Sequence, residues 1–173
     1  MRHILPVLLL AALPALAAPA TPPAAPAQKP VAKYGDWRTT THTEAGQIVC
    51  YAYTPATSSQ PAMVGRGQVS LTVTQRPGGP RDAVAVAPGF AYAPNATVVG
   101  SVDGAALEFY TNQRYAFALH GPQAVQAFLK GSLVQVLSPN PKAGPKGGQV
   151  TDSFSLKGFS AAYAAINKAC PAK

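Results

Sequence analysis

The clearest alternation of apolar and polar positions runs from Val69 to Thr74, where Val69, Leu71 and Val73 interleave with Ser70, Thr72 and Thr74. A period of two predicts a strand with one face in a core and the other in water. Arg76-Pro77-Gly78-Gly79-Pro80-Arg81 is a turn, and Asp82-Ala83-Val84-Ala85-Val86-Ala87 returns beside it as a partner strand. Upstream, Tyr34 to Thr41 reads as a first strand whose single tryptophan, Trp37, anchors one edge of the core. Glu44-Ala45-Gly46-Gln47 turns into Ile48 to Tyr53. There Ile48, Cys50 and Ala52 share one face, and Val49, Tyr51 and Tyr53 the other. Both faces are apolar or aromatic, which predicts a central strand covered on both sides.

Thr54 to Arg66 is a long polar connection. Downstream, Thr97 to Val102 and Ala105 to Tyr110 flank Asp103-Gly104, the strongest short-range hairpin signal in the chain. Arg114 to Leu119 is a further extended piece. Pro122 and Gly131 bracket a short helix, Gln123 to Lys130, with Val125, Phe128 and Leu129 on its apolar side. Ser132 to Leu137 and Val150 to Leu156 are strands separated by a Pro/Gly-rich loop, Ser138 to Gln149. In the closing segment Ser160 is the expected N-cap. Phe159, Tyr163, Ile166 and Cys170 stand at helical offsets that put all four on one stripe. About eight short strands and two helices, in sequential hairpins, predict a mainly β domain. It is an antiparallel β-sandwich or partly closed barrel with a short internal helix and a C-terminal helix.

The first 17 residues carry a processing signal rather than fold. Arg2 and His3 precede the short apolar run Ile4 to Leu13, and Ala15-Leu16-Ala17 offers a small-x-small cleavage pattern, with a second cut available after Ala20. The run is too short to span a bilayer, so no transmembrane segment is expected after cleavage. Residues 18–30, almost all Pro, Ala, Thr, Gln and Lys, read as an extended tether of roughly 30 Å or more. Residues 31–173 are one β domain. The expected location is periplasmic, outer-membrane-associated or secreted in a Gram-negative bacterium.

Two cysteines in an exported chain imply one disulfide, Cys50 to Cys170. The alternative is a pair of free thiols for metal or redox work, against which stands the absence of a CxxC motif and of a histidine near either cysteine in sequence. With 14 Lys and Arg against 6 Asp and Glu, the chain carries a net charge of +8. That balance admits an anionic envelope component or a protein partner; its bland reading is colloidal solubility. Nucleic acid is not an expected partner, because export separates the chain from it and the basic residues are spread along the sequence.

Catalytic signatures are thin. There is no HExxH, GxSxG or GxxxxGK pattern, and no cofactor or metal is expected. His42, two residues from Glu44, and His120, at a helix start, are the residues on which a hydrolase or metal-dependent enzyme would have to rely. A real site would place one of them in a cleft within hydrogen-bond reach of a carboxylate. Binding candidates are Phe90 and Tyr92, which suit a ligand contact if exposed on a loop and core packing if the segment extends a strand. Arg76 and Arg81 flank the rigid turn, with Arg81-Asp82 expected as a weak local ion pair. Lys142 and Lys146 lie in the Pro/Gly-rich loop.

Several segments together resemble the invasion-associated locus B family of bacterial envelope proteins. They are the signal peptide, Gly35-Asp36-Trp37, Cys50-Tyr51, Arg76-Pro77 with Arg81-Asp82, Phe154-Ser155-Leu156-Lys157-Gly158-Phe159, and Ala161 to Ile166 followed by Cys170. The resemblance covers the mature domain and implies an exported, sandwich-like all-β domain, linked in pathogenic members to colonisation of host cells. It supplies no catalytic residues. The expectation is a non-enzymatic envelope protein binding an envelope component or partner, against an enzyme using His42 or His120, or a purely structural envelope protein.

Overall fold

Each alternating run becomes a strand of one antiparallel sheet. The computed structural model describes residues 32–143 and 148–172. Its strands are β1 (Ala32–Tyr34), β2 (Trp37–Glu44), β3 (Gln47–Pro55), β4 (Ser58–Gln60), β5 (Ser70–Gln75), β6 (Ala83–Ala87), β7 (Val98–Val102), β8 (Ala105–Asn112), β9 (Tyr115–Ala118), β10 (Leu133–Pro139) and β11 (Gln149–Ser155). The helices are α1 (Gly121–Lys130) and α2 (Phe159–Ala169). The lateral order is β1-β2-β3-β5-β6-β9-β8-β7-β10-β11-β4. The expected signal peptide and tether lie outside the described residues, as does the centre of the Pro/Gly-rich loop with Lys146.

The sheet curls into a half-barrel around the two helices. Leu71, Val73, Val84, Val86, Val134, Val136 and Phe154 point inward, and there they meet Phe128 of α1 and Phe159, Ala162 and Ile166 of α2. This is the partly closed barrel of the expected alternatives, with eleven strands rather than about eight; nine of them arise in the segments expected to be extended. The added strands, β1 and β4, are three residues each. β4 falls within the stretch expected to be a polar connection. Its Ser-Ser-Gln sequence carries no alternation, and it is a strand because β11 offers it a free edge, pairing Thr151 with Gln60 and Ser153 with Ser58. The Asp103-Gly104 hairpin forms as expected, pairing Val102 with Ala105.

Two other expectations change. β3 is central, between β2 and β5, but apart from Val49, which is buried, its outer face is only partly covered. Cys50, Ala52 and Thr54 are buried under α2, while Tyr51 and Tyr53 stay half-exposed on the other side. Ser160 does not cap α2. Gly158 stands at the N-cap with φ +91°, and Ser160 is exposed in the first turn.

Gly158 is where the half-barrel closes. A Cβ there would sit 2.1 Å from the Tyr34 carbonyl oxygen, and one on Gly35 would sit 2.6 Å from the Lys157 carbonyl oxygen. The two turns therefore touch backbone to backbone, and the Asp36 amide donates to the Lys157 carbonyl at 3.0 Å. Trp37 follows Gly35-Asp36 and Phe159 follows Lys157-Gly158, so their rings meet with centroids 4.7 Å apart. The Trp37 indole N–H donates to the Ser155 carbonyl at 2.9 Å. Alanine at 158 is expected to cost about 1–2 kcal/mol for the left-handed backbone alone, with the backbone clash added. Urea unfolding of Gly158→Ala measures it, and an unchanged midpoint would refute the close approach.

The disulfide links Cys50 of β3 to Cys170 at the end of α2, with Cα atoms 6.0 Å apart. Beside it, the Arg81 guanidinium donates to the Cys170 carbonyl at 2.9 Å and to the Asn167 side-chain oxygen. A cation thus meets the carbonyls left unpaired at the helix end. The expected Arg81–Asp82 ion pair does not form. Asp82 instead accepts from the Tyr163 hydroxyl at 2.9 Å and from Gln75.

Candidate functional site

The outer face of the half-barrel carries a trough of about 420 Å³. Register explains its shape. Outward positions line up across β3, β5, β6 and β9 in the rows Tyr51–Thr74–Ala83 and Tyr53–Thr72–Ala85–Phe117. Ser70 and Ala87 form the next row. Side chains at directly opposed positions stand next to each other, so small residues on β5 and β6 make a low floor two strands wide. Tyr51 on β3 forms one wall, and Tyr115 and Phe117 on β9 form the other. The wall strands are three spacings apart, about 14 Å. Tyr110 of β8 stacks on Phe117, with centroids 5.5 Å apart and planes 24° apart, and thickens that wall.

Arg76 closes one end of the trough. Its Nε and Nη2 donate to Glu44 at 3.2–3.4 Å, and the pair is about two-fifths exposed. Tyr51 also donates its hydroxyl to Glu44. Burial pushes the Tyr51 phenol up to about 12 from an ordinary 10, and the bond to Glu44 adds to the rise. That same bond leads the causes holding the Glu44 carboxyl below its ordinary value; the Arg76 charge assists, and desolvation opposes both. The folded state therefore favours the neutral phenol. Its contribution to stability is full below pH 10 and is lost as pH rises through about 12. An ultraviolet titration of the wild type minus Tyr51→Phe should show a phenol ionising at about 12; a midpoint near 10 would contradict the buried geometry.

The lining contains two phenols, three aliphatic hydroxyls and one guanidinium, and no carboxylate, imidazole or thiol. Among these lining side chains there is no carboxylate–imidazole pair of the kind general acid–base catalysis uses. His42 and His120 are both exposed, and among the described residues neither makes a side-chain hydrogen bond or ion pair with a carboxylate. Among the described residues no three His, Cys, Asp or Glu side chains cluster as metal ligands.

The candidates named from sequence fall in different places. Arg76 lines the trough, and Arg81 is held against the end of α2. Phe90 and Tyr92 lie on a loop, as one of the two readings had it, yet both are half-buried. Their rings meet edge to face at 5.5 Å, Phe90 lies under Arg66 at 5.1 Å, and the Tyr92 hydroxyl bonds Ser138. Lys142 donates to the Val64 carbonyl on the surface. Sequence reasoning missed the trough itself. Its one advance signal was Ala83, Ala85 and Ala87 on the outward side of a strand, where alanine is otherwise disfavoured.

Reasoning from sequence also missed the ion pair inside the half-barrel. Arg66, on the segment between β4 and β5, donates Nη1 and Nη2 to the two oxygens of Asp152 at 2.9 and 2.6 Å. Asp152 is 0% and Arg66 5% exposed in side chain. Ser59 donates to the same carboxylate at 2.7 Å, and the Arg66 Nε donates to the Pro88 carbonyl.

Fold and surface define a class: an antiparallel half-barrel filled by two helices, one of them bound covalently to the sheet. Residues 37–167 match the family model described as Invasion associated locus B (IalB) protein, and the chain belongs to that family. Its structure is similar to the crystal structure of invasion associated protein B from Bartonella henselae, with TM-score 0.60 and 18% sequence identity over 82% of this chain and 97% of that one. At that identity the likeness is one of fold. No curated protein sequence matches the chain. The expected resemblance thus holds over residues 37–167, and several of the segments that carried it converge on α2. Gly35-Asp36-Trp37 meets Lys157-Gly158-Phe159, Arg81-Asp82 clamps the helix, and Cys50 ties down its end.

Proposed function

We propose that the protein is an exported, non-enzymatic envelope protein that binds an envelope component or partner protein through the trough on its outer sheet face. The observation that carries this reading is the low Ala/Ser/Thr floor between aromatic walls, lined without a carboxylate, imidazole or thiol. Ligand sites are concave, largely apolar and few per protein, with a small number of polar groups that orient the occupant. Export is supported by the processing signal in the sequence and by the disulfide, which persists in oxidising compartments. Among the described residues no helix is long and apolar enough to cross a membrane.

The test is retention on isolated envelope fractions at low and high salt, using the wild type and Ala85→Glu. The wild type should be retained at low salt and released at high salt, and the variant, whose trough floor is filled, should wash through. No retention of the wild type at low ionic strength defeats the reading. No geometric observation favours the enzyme alternative built on His42 or His120.

A further inference from the structure

We infer that the trough takes an acidic saccharide, a chain of pyranose rings bearing carboxylate or phosphate groups. This deepens the binding reading above and rests on the trough being the binding surface. The lining is a mixture with a specific geometry: aromatic rings on the walls and unspent hydroxyls on the floor. Among the described residues, the side chains of Ser70, Thr72 and Thr74 make no hydrogen bond within the protein, and neither do the hydroxyls of Tyr110 and Tyr115. Tyr110 and Tyr115 are about half exposed, which is far from the usual state of ring side chains this large.

A purely apolar occupant would strip water from the floor hydroxyls and give nothing back, which is costly. A peptide that binds by strand addition needs a sheet edge with free backbone groups. The floor strands β5 and β6 are interior, paired on both sides, and offer no such edge. A pyranose ring matches both components. Its C–H face packs on the electron-rich face of an aromatic ring, while its hydroxyls exchange hydrogen bonds with Ser, Thr and Tyr. Tyrosine suits the task because it supplies a large rigid contact at little entropic cost.

The charge argument selects an acidic sugar. Arg76 stands in the lining with Nε and Nη2 turned to Glu44, while its Nη1 has no hydrogen-bond partner among the described residues. Arg38 opposes Tyr53 on the same outward row, and Arg114 sits in the turn before Tyr115. The lining itself contributes no negative charge; the carboxylate beside it is Glu44, which pairs with Arg76 at the trough's end and leaves Arg38 and Arg114 as the cations it does not offset. A guanidinium with a free N–H beside a hydroxyl floor is a recognition element for a carboxylate or phosphate oxygen.

The experiment is a calorimetric titration of the folded, disulfide-intact protein with three probes. They are an oligomer of galacturonic acid, the same oligomer with its carboxylates reduced to alcohols, and vesicles of equal phosphatidylglycerol and phosphatidylcholine. The acidic oligomer should bind, and the reduced one should bind at least about tenfold more weakly, as expected for losing a charge-assisted hydrogen bond. Arg76→Gln should bring the two affinities together. Ala85→Glu should remove binding of both, and Tyr115→Ala, at an exposed wall position, should weaken both if the first variant proves unstable. Equal affinity for the charged and neutral oligomers overturns the acidic assignment. Binding to the vesicles alone, lost in Ala85→Glu, overturns the saccharide and leaves the trough as the binding surface. Saccharide binding untouched by either trough variant overturns both this inference and the reading on which it rests. No binding of any probe overturns the saccharide inference, while envelope retention still decides the broader function.

Discussion

Asp152→Ala should destabilise the protein by about 3–5 kcal/mol, the usual cost of leaving one member of a buried ion pair without its partner. Asp152 is wholly buried and Arg66 almost so, and the two make a bidentate pair that Ser59 completes. The loss of the carboxylate strands the guanidinium among Phe90, the Pro88 carbonyl and apolar walls. Its remaining contacts, one hydrogen bond and one ring face at 5.1 Å, do not replace a full counter-charge. The structural consequence follows from where the pair sits. Arg66 belongs to the segment that leads from β4 into β5, and Asp152 to β11 beside β4, so the pair ties that connection to the strand next to the sheet's last one. Arg66→Met with Asp152→Leu should recover most of the loss, because an apolar pair of similar volume removes the stranded charge. Urea unfolding at neutral pH of the two variants distinguishes the cases. A cost below about 1 kcal/mol for Asp152→Ala would mean that the pair is solvated in solution.

Cys50→Ala with Cys170→Ala should cost a comparable amount. The bond spans 120 residues of sequence, and the chain-entropy model assigns a loop of that size about 5 kcal/mol, usually with less observed. Net stability of a domain is only about 5–15 kcal/mol, so the double variant should sit near the edge of folding at 37 °C. α2 retains other attachments: the Trp37–Phe159 contact, the Tyr163–Asp82 hydrogen bond and the Arg81 contacts at its end. Unfolding should therefore remain a single transition at a lower midpoint, with the near-ultraviolet signal of Trp37 unchanged before it. Both sulfurs are fully buried, so mild reductant should leave the bond intact until the protein opens. Rapid reduction under native conditions, or a loss below about 1 kcal/mol in the double variant, would contradict the staple's role.

Local signals in the chain were sufficient for the hairpins and helices. Asp103-Gly104 between apolar runs forms its hairpin, and Pro122 and Gly131 bracket α1, whose described start is Gly121. The stripe of Phe159, Tyr163, Ile166 and Cys170 faces inward as its spacing requires, and it brings Cys170 to Cys50. What escaped was every feature held by residues far apart in sequence. Ser58–Gln60 has no pattern of its own and is a strand only because β11 lies beside it. Arg66 sits between two glycines with nothing local to mark it. Asp152 did carry a signal, because it occupies an inward position between Val150 and Phe154, where a carboxylate requires a partner. The sequence named Arg76 at the trough but not the walls, since Tyr51, Tyr115 and Phe117 become neighbours only through the pairing order.

Hydrophobic period, turn chemistry and cysteine number are properties of neighbouring residues. They determined a mainly β chain with a terminal helix and one disulfide before any strand had a neighbour. The lateral order of eleven strands, the buried Arg66–Asp152 pair and the trough of β3, β5, β6 and β9 belong to the tertiary structure alone. Burial and cross-strand contact act between residues that the chain's own pattern leaves tens of positions apart, and only the closed sheet decides which of them meet.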